Sequence, residues 1–242
     1  MFATYCSLRL IQRISPCLST MNETCFQNIR CLVREPKDFD PLKKYPVLLY
    51  LHGAGTRGND INKLYTNPFF QLIETHHDLP FVIVAPLCEE NTWFDIWKHL
   101  KLFVNEIAAL PFADRERIYV IGASMGGYAT WQLAMSMPDQ FAAIVPICGG
   151  GMYWNAARLV NVPVWAFHGA KDPTVRLEES LKMVEAVKRC GGEAKLTVYP
   201  ENSHDAWSDT YRNPEVFAWL LKQKKKSDNK SCDDYNNSEK YG

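Results

Sequence analysis

Short, nearly unbroken apolar runs recur along the middle of the chain, and they constrain its fold more than any other feature. They read Pro46-Val-Leu-Leu-Tyr-Leu-His52, Phe81-Val-Ile-Val-Ala-Pro86, Arg117-Ile-Tyr-Val-Ile-Gly122, Phe141-Ala-Ala-Ile-Val-Pro-Ile147, Pro163-Val-Trp-Ala-Phe-His168 and Lys195-Leu-Thr-Val-Tyr199. A strand with one wet face alternates apolar and polar residues, so a continuously apolar strand must be covered on both faces. Helical spacing fills the gaps. Ile96, Leu100, Phe103, Val104 and Ile107 step by three or four, as do Leu177, Leu181, Val184 and Val187, with Gly191-Gly192 as a stop. Residues 128–137 read as a further helix ended by Pro138. Strands alternating with helices predict an α/β fold: an open, mostly parallel, doubly wound sheet. A chain of 242 residues, 47% of them hydrophobic, fits one such domain.

Charge and length exclude other classes. The 27 Lys and Arg residues balance 27 Asp and Glu, so no global basic field draws the chain to nucleic acid or an anionic membrane. No apolar run approaches the ~20 residues of a membrane-spanning helix. The eight cysteines, at Cys6, Cys17, Cys25, Cys31, Cys88, Cys148, Cys190 and Cys232, form no C-x-x-C pair and no zinc-type group with histidine. They are expected to be reduced thiols of a cytoplasmic protein. His76-His77 reads as an exposed pair between a helix and a strand rather than as metal ligands. The catalytic core is expected over residues 28–221. Residues 1–27 form an N-terminal extension, in which Arg9 breaks the apolar stretch Leu8–Ile11 and makes a poor signal sequence, and Met21 offers an alternative start. Residues 222–242, with Lys224-Lys225-Lys226, read as a solvated polar tail.

In a sheet of this kind the ligand lies beyond the carboxyl ends of the strands. After the 117–122 strand stands Gly122-Ala123-Ser124-Met125-Gly126, a G-x-S-x-G nucleophile elbow. The chain must turn sharply there from strand to helix, and the glycines leave room for the strained serine. Ser124 requires a base and an orienting acid, expected in the order Ser, Asp or Glu, His. Asp172 follows the 163–168 strand and His204 follows the 195–199 strand, both in the expected place. Glu201, Asp205 and Asp209 are weaker competitors for the acid role, and His168 reads as a structural residue of the Asp172 loop. The oxyanion is expected to meet two backbone N–H groups. One is Met125, after the nucleophile. The other is Ala54 in the small-residue loop after the first run, with Gly55 as the alternative.

The phrases Tyr50-Leu-His-Gly-Ala-Gly-Thr-Arg-Gly-Asn59, Arg117-Ile-Tyr-Val-Ile-Gly-Ala-Ser-Met-Gly-Gly-Tyr128 and Phe167-His-Gly-Ala-Lys-Asp172 resemble the α/β-hydrolase superfamily. More narrowly they resemble carboxylesterase/phospholipase-like serine esterases near the dienelactone hydrolases, feruloyl esterases and polyhydroxybutyrate depolymerases. Prolyl-oligopeptidase catalytic domains are more distant. Ala123 and Thr56 depart from the Leu and Glu frequent in that group, and neither touches a reacting atom. The resemblance implies ester hydrolysis through an acyl-enzyme, with no cofactor or metal. The stretch from Cys148 to Val162 leaves little room for a lid, which favours short-chain or polymer-linked esters over long-chain lipid. Met152, Tyr153 and Trp154, with Trp93 and Trp207, are candidates for an aromatic sugar or aryl platform. Trp131, Trp165 and Trp219 read as packing. The expected partner is a small-molecule or polysaccharide-linked ester. A prolyl-oligopeptidase-like peptidase, an acyl thioesterase and a non-catalytic binding module are the alternatives.

Overall fold

The computed structural model describes residues 21–73 and 79–226. Eight strands form one sheet in the order β1-β2-β4-β3-β5-β6-β7-β8. They are β1 Met21–Phe26, β2 Ile29–Arg34, β3 Tyr45–Leu51, β4 Val82–Pro86, β5 Ala113–Ala123, β6 Ala143–Ile147, β7 Val164–Gly169 and β8 Ala194–Tyr199. The last six pair in parallel and coincide with the apolar runs. The first two add antiparallel to the β4 edge.

That hairpin corrects the expected N-terminal boundary. Residues 21–27 belong to the sheet rather than to an extension. Gln27 and Asn28 both take left-handed backbone angles (φ 51° and 61°), the two-residue turn that matches strand twist. The β1 sequence Met21-Asn-Glu-Thr-Cys-Phe26 carries no apolar run because it is an exposed edge. At the other end the fold extends past residue 221. Tyr119 Oη donates to Gln223 O at 2.8 Å, and Lys225 N donates to Glu116 O at 3.0 Å. His76-His77 and the cysteines at 6, 17 and 232 lie outside the described residues.

The helices are α1 Asn62–Tyr65, α2 Pro68–Ile73, α3 Trp97–Ala108, α4 Met125–Ser136, α5 Leu177–Arg189, α6 Trp207–Arg212 and α7 Pro214–Lys222. They divide between the two sheet faces. Val47, Leu49 and Leu51 point to a core closed by α3, α4 and α5 through residues such as Phe103, Trp131 and Val187. Leu48 and Tyr50 point to the opposite core, closed by α2, α6 and α7 through Phe69, Tyr211 and Phe217. Apolar residues at both parities of one strand are therefore two cores read alternately. One helical position departs from the pattern: Leu181 is exposed, and Ser180 and Met183 turn inward instead. Trp131 and Trp165 are buried and Trp219 packs against the second core, as packing residues do. Among the described residues no helix is long and apolar enough to cross a membrane.

Candidate active site

Ser124 fills the single residue between β5 and α4, with φ 55° and ψ −118°. Such angles are costly for a residue with a Cβ, about 1–3 kcal/mol, and persist only when the surroundings impose them. Here they do. Ser124 N donates to Ile147 O at 2.9 Å, and Ser124 O accepts from Tyr128 N at 3.0 Å. Any Cβ on Gly126 would lie 1.9 Å from Leu51 O, and one on Gly122 would lie 2.4 Å from Gly126 O. The two motif glycines are thus fixed by backbone running against backbone, which brings the start of α4 onto the end of β3.

The serine, histidine and acid meet at this turn. Ser124 Oγ lies 2.9 Å from His204 Nε2, and His204 Nδ1 lies 2.7 Å from Asp172 Oδ2. The carboxylate accepts at Oδ2, so Nδ1 carries the proton and Nε2 is left to accept from the serine hydroxyl. Asp172 Oδ1 accepts from Thr174 N (2.8 Å) and Val175 N (2.9 Å). Burial opposes ionisation of Asp172, but the hydrogen bonds from His204, Val175 and Thr174 outweigh it and hold the carboxyl below its ordinary value. It is therefore a fixed anion facing the imidazole.

The competing carboxylates are engaged elsewhere. Glu201 pairs with Lys171 at the surface. Asp205 accepts from Ser208 N and Oγ, at the start of α6. Asp209 accepts from Asn202 Nδ2 at 2.6 Å. His168 is fully buried. Its Nε2 donates to Val175 O at 2.9 Å, and its Nδ1 meets Ser180 Oγ at 2.7 Å. Ser180 Oγ in turn donates to Gly149 O at 3.0 Å. His168 therefore ties the Asp172 loop to α5 and to the turn after β6.

The oxyanion candidates flank the serine. Met125 opens α4, where an N–H has no carbonyl one turn back. Ala54 opens a short 3₁₀ turn after β3, and a Cβ on the preceding Gly53 would lie 3.6 Å from Ser124 Cβ. Gly55 lies one residue further out, exposed and with open space around it. A buried histidine that the motifs did not single out braces this loop. His52 Nδ1 donates to Gly53 O at 2.8 Å, and its Nε2 accepts from Cys88 N at 3.0 Å. Burial holds it neutral, lowering its pKa to about 4.

The platform candidates separate. Trp93 is fully buried, donates from Nε1 to His52 O at 3.0 Å and offers no face to a ligand. That corrects its place among the substrate-binding candidates: it supports the β3 loop from below. Trp207 sets its ring edge-on to His204, centroids 5.2 Å apart. Tyr153 and Trp154 are exposed and meet at right angles, 5.2 Å between centroids. They begin the 3₁₀ segment Tyr153–Leu159, the one regular element of the short Cys148–Val162 connection. Met152 lines a cleft of ≈ 590 Å³ with Phe94, Trp97, Tyr128, Gln132 and Glu179. Ser124, Asp172 and His204 do not line the cleft, whereas Tyr128, one turn after Ser124, does. Tyr128 and Gln132 were legible only as later turns of the helix after Ser124, and Glu179 carried no sequence signal.

Cys148 completes the surroundings. It follows β6 with a left-handed φ of 39°. Its sulfur, an Asp172 oxygen and a His204 nitrogen lie within 4.8 Å of one another. Burial pushes its thiol pKa up, so it stands as a neutral thiol beside Asp172 and His204.

A strained serine at the strand-to-helix turn of a mostly parallel eight-stranded sheet places the protein among the α/β-hydrolases. The model of the dienelactone hydrolase family matches residues 83–235, and the chain belongs to that family of hydrolases. Among solved structures it is similar to a thermostable esterase, 30% identical with a TM-score of 0.69 over 85% of this chain and 63% of that one. It is also similar to dipeptidyl-peptidase 5 of Porphyromonas gingivalis, 22% identical over 76% of this chain and 34% of that protein. A bifunctional acetylxylan esterase/xylanase of Neocallimastix patriciarum is 23% identical over 72% of this chain and 26% of that protein. The chain thus spans about a quarter to a third of the length of these two relatives.

Proposed function

We propose that this protein is a serine carboxylesterase acting on short-chain or polymer-linked esters. The observation that carries the reading is the continuous relay from Ser124 Oγ through His204 to Asp172, at 2.9 and 2.7 Å. Its chemistry follows from the donor and acceptor assignments. His204 Nε2 takes the hydroxyl proton as Ser124 Oγ attacks the ester carbonyl. Asp172 stabilises the imidazolium that forms. The Met125 and Ala54 N–H groups hold the oxyanion. His204 then gives its proton to the leaving alcohol. Water enters, loses a proton to His204 and attacks the acyl-serine, releasing the acid and restoring Ser124.

Ser124→Ala is expected to lower p-nitrophenyl acetate hydrolysis by at least about 10⁴-fold and to abolish labelling by a fluorophosphonate. Retention of full activity overturns the assignment. The short connection after β6 favours small acyl groups, since its one regular element is the seven-residue 3₁₀ segment Tyr153–Leu159. p-Nitrophenyl acetate and butyrate should therefore be turned over faster than palmitate. Preference for palmitate with activation at a lipid interface would reverse that expectation.

A peptidase is the second reading. It rests on the likeness to dipeptidyl-peptidase 5 and on the same triad, which also serves amide cleavage. Aminoacyl-prolyl and dipeptidyl p-nitroanilides, assayed beside the esters, separate the two.

A further inference from the structure

The cleft beside the triad has an unusual balance of chemistry. Its walls are largely apolar: Phe94 and Trp97 stack at 5.4 Å between centroids, and Met152 and Tyr128 close the sides. Into it projects one carboxylate, Glu179. A Cβ on Gly150 would lie 2.4 Å from Glu179 Oε2 and 3.2 Å from Tyr128 Cε1. The carboxylate therefore rests on a glycine floor against the tyrosine ring. Among the described residues no hydrogen bond or ion pair reaches it, and no Lys or Arg side chain lines the cleft.

A glutamate in the first turn of α5 has an ordinary explanation, because negative charge is favoured at a helix N-terminus. Glu178 answers that description: it stands in the same turn and is exposed. Glu179 instead lines the aromatic cleft, partly buried, beside Tyr128 and Gln132. The cleft also adjoins the chemistry. Tyr128 lies one helical turn, about 6 Å of rise, from Ser124. Burial raises the Tyr128 phenol, and the Glu179 and Asp172 carboxylates, both near it, raise it further.

We infer that the cleft binds a cationic, alkyl-substituted ammonium group of the substrate, with Glu179 as counter-charge and the Phe94–Trp97 pair as an aromatic wall. Cations sit favourably over aromatic faces, and the attraction grows when water is displaced. A primary ammonium would bring three N–H donors to a cleft whose polar atoms are few. A tertiary or quaternary ammonium, with apolar methyl groups around the charge, matches carboxylate and aromatic rings together. The inference rests on the serine-esterase reading and names a substrate class for that site.

The test compares acetylcholine with its neutral isostere 3,3-dimethylbutyl acetate, with p-nitrophenyl acetate as a general ester probe. The native enzyme is expected to favour the charged ester by about tenfold in kcat/KM. Glu179→Gln should bring that ratio close to one, and Glu179→Asp should restore part of it. Gly150→Ala keeps the charge but moves the carboxylate, and should also lower the ratio. Binding of tetramethylammonium, read by calorimetry, tests the cleft without turnover and should weaken about tenfold in Glu179→Gln. If no ester is hydrolysed, the esterase reading fails while the binding measurement still decides the inference. If esters are hydrolysed with no charge preference and tetramethylammonium does not bind saturably, the inference is overturned and the esterase reading stands.

Discussion

Two segments at the same end of the sheet, the elbow after β5 and the start of the 3₁₀ segment that follows the buried turn after β6, are built on opposite terms. Around Ser124 the backbone is held by hydrogen bonds from two directions and by glycine contacts that admit no side-chain atom. The segment that begins at Tyr153 is open only at its start: Tyr153 is 50% and Trp154 72% exposed, ring against ring, whereas Ala156 and Leu159 are buried. A nucleophile needs one geometry, which close backbone contact can impose. A binding rim needs available surface, which close packing would remove. The division predicts that changes near the elbow act through the fold and the reaction together, whereas changes on the rim act on substrate choice.

Gly126→Ala is the sharpest probe of the first half of that comparison. The added methyl would sit 1.9 Å from Leu51 O, a backbone atom in the middle of the sheet that cannot rotate away. Either α4 moves off β3 or the domain loosens. The expected loss is more than about 3 kcal/mol of stability, beyond the usual range for overpacking by side chains alone. Activity should fall by more than 100-fold even in the fraction that folds, which is of the order caused by a misplaced nucleophile about 1 Å out of position. Denaturant titration with parallel active-site labelling measures both. A variant of near-native stability and activity would mean that the elbow is softer than its contacts require.

The β3 loop beside the elbow offers a smaller and pH-dependent effect. His52 is buried neutral with its pKa lowered to about 4, against about 6.5 in the unfolded chain. Between those values the unfolded chain takes up a proton that the folded one does not. Acid therefore favours unfolding: the contribution is complete above pH 6.5, falls as the pH drops from 6.5 to 4, and is constant below. The difference across the window is on the order of 3 kcal/mol. His52→Gln retains an acceptor for Cys88 N and removes the titration. Unfolding free energies measured from pH 4 to 7.5 should decline less steeply in the variant. Parallel declines would show that the histidine does not govern the loop's acid response.

Much of this was legible in the sequence, and the physical reasons for success and failure differ by region. Strands β3 to β8 announced themselves because both faces are buried, so apolar residues run on without alternation. Neither strand of the hairpin β1-β2 was among the expected runs: β1 is an exposed edge with nothing to bury, β2 is interrupted by Arg30 and Arg34, and the turn uses Gln27-Asn28 rather than a glycine pair. Ser124, Asp172 and His204 could be placed because each follows a strand end in a fixed order. Trp93 was misplaced because a tryptophan in a loop reads as exposed, and only the fold shows His52 O waiting beneath the loop for its Nε1 proton. Glu179 was invisible for a related reason. Its neighbours Gly150 and Tyr128 come from other elements, and a net charge of zero says nothing of where one carboxylate points.

Trp154→Ala tests the second half of the comparison and should give the smallest change. With most of its surface already in water, its removal should alter stability by less than about 0.5 kcal/mol. Its effect should appear in substrate choice. An ester carried on a polysaccharide, such as acetylated xylan, lays extended surface along the rim, where an exposed ring offers an apolar face to a sugar. KM for such a substrate should rise severalfold, and by more than KM for p-nitrophenyl acetate, which is small enough to be held at the elbow alone. Equal effects on both substrates would mean that Trp154 acts on Ser124 through the loop after β6 and that rim and elbow are one unit. A selective effect on the polymer would keep them apart, with the reaction set by the backbone of α4 and the choice of ester by side chains that stand in water.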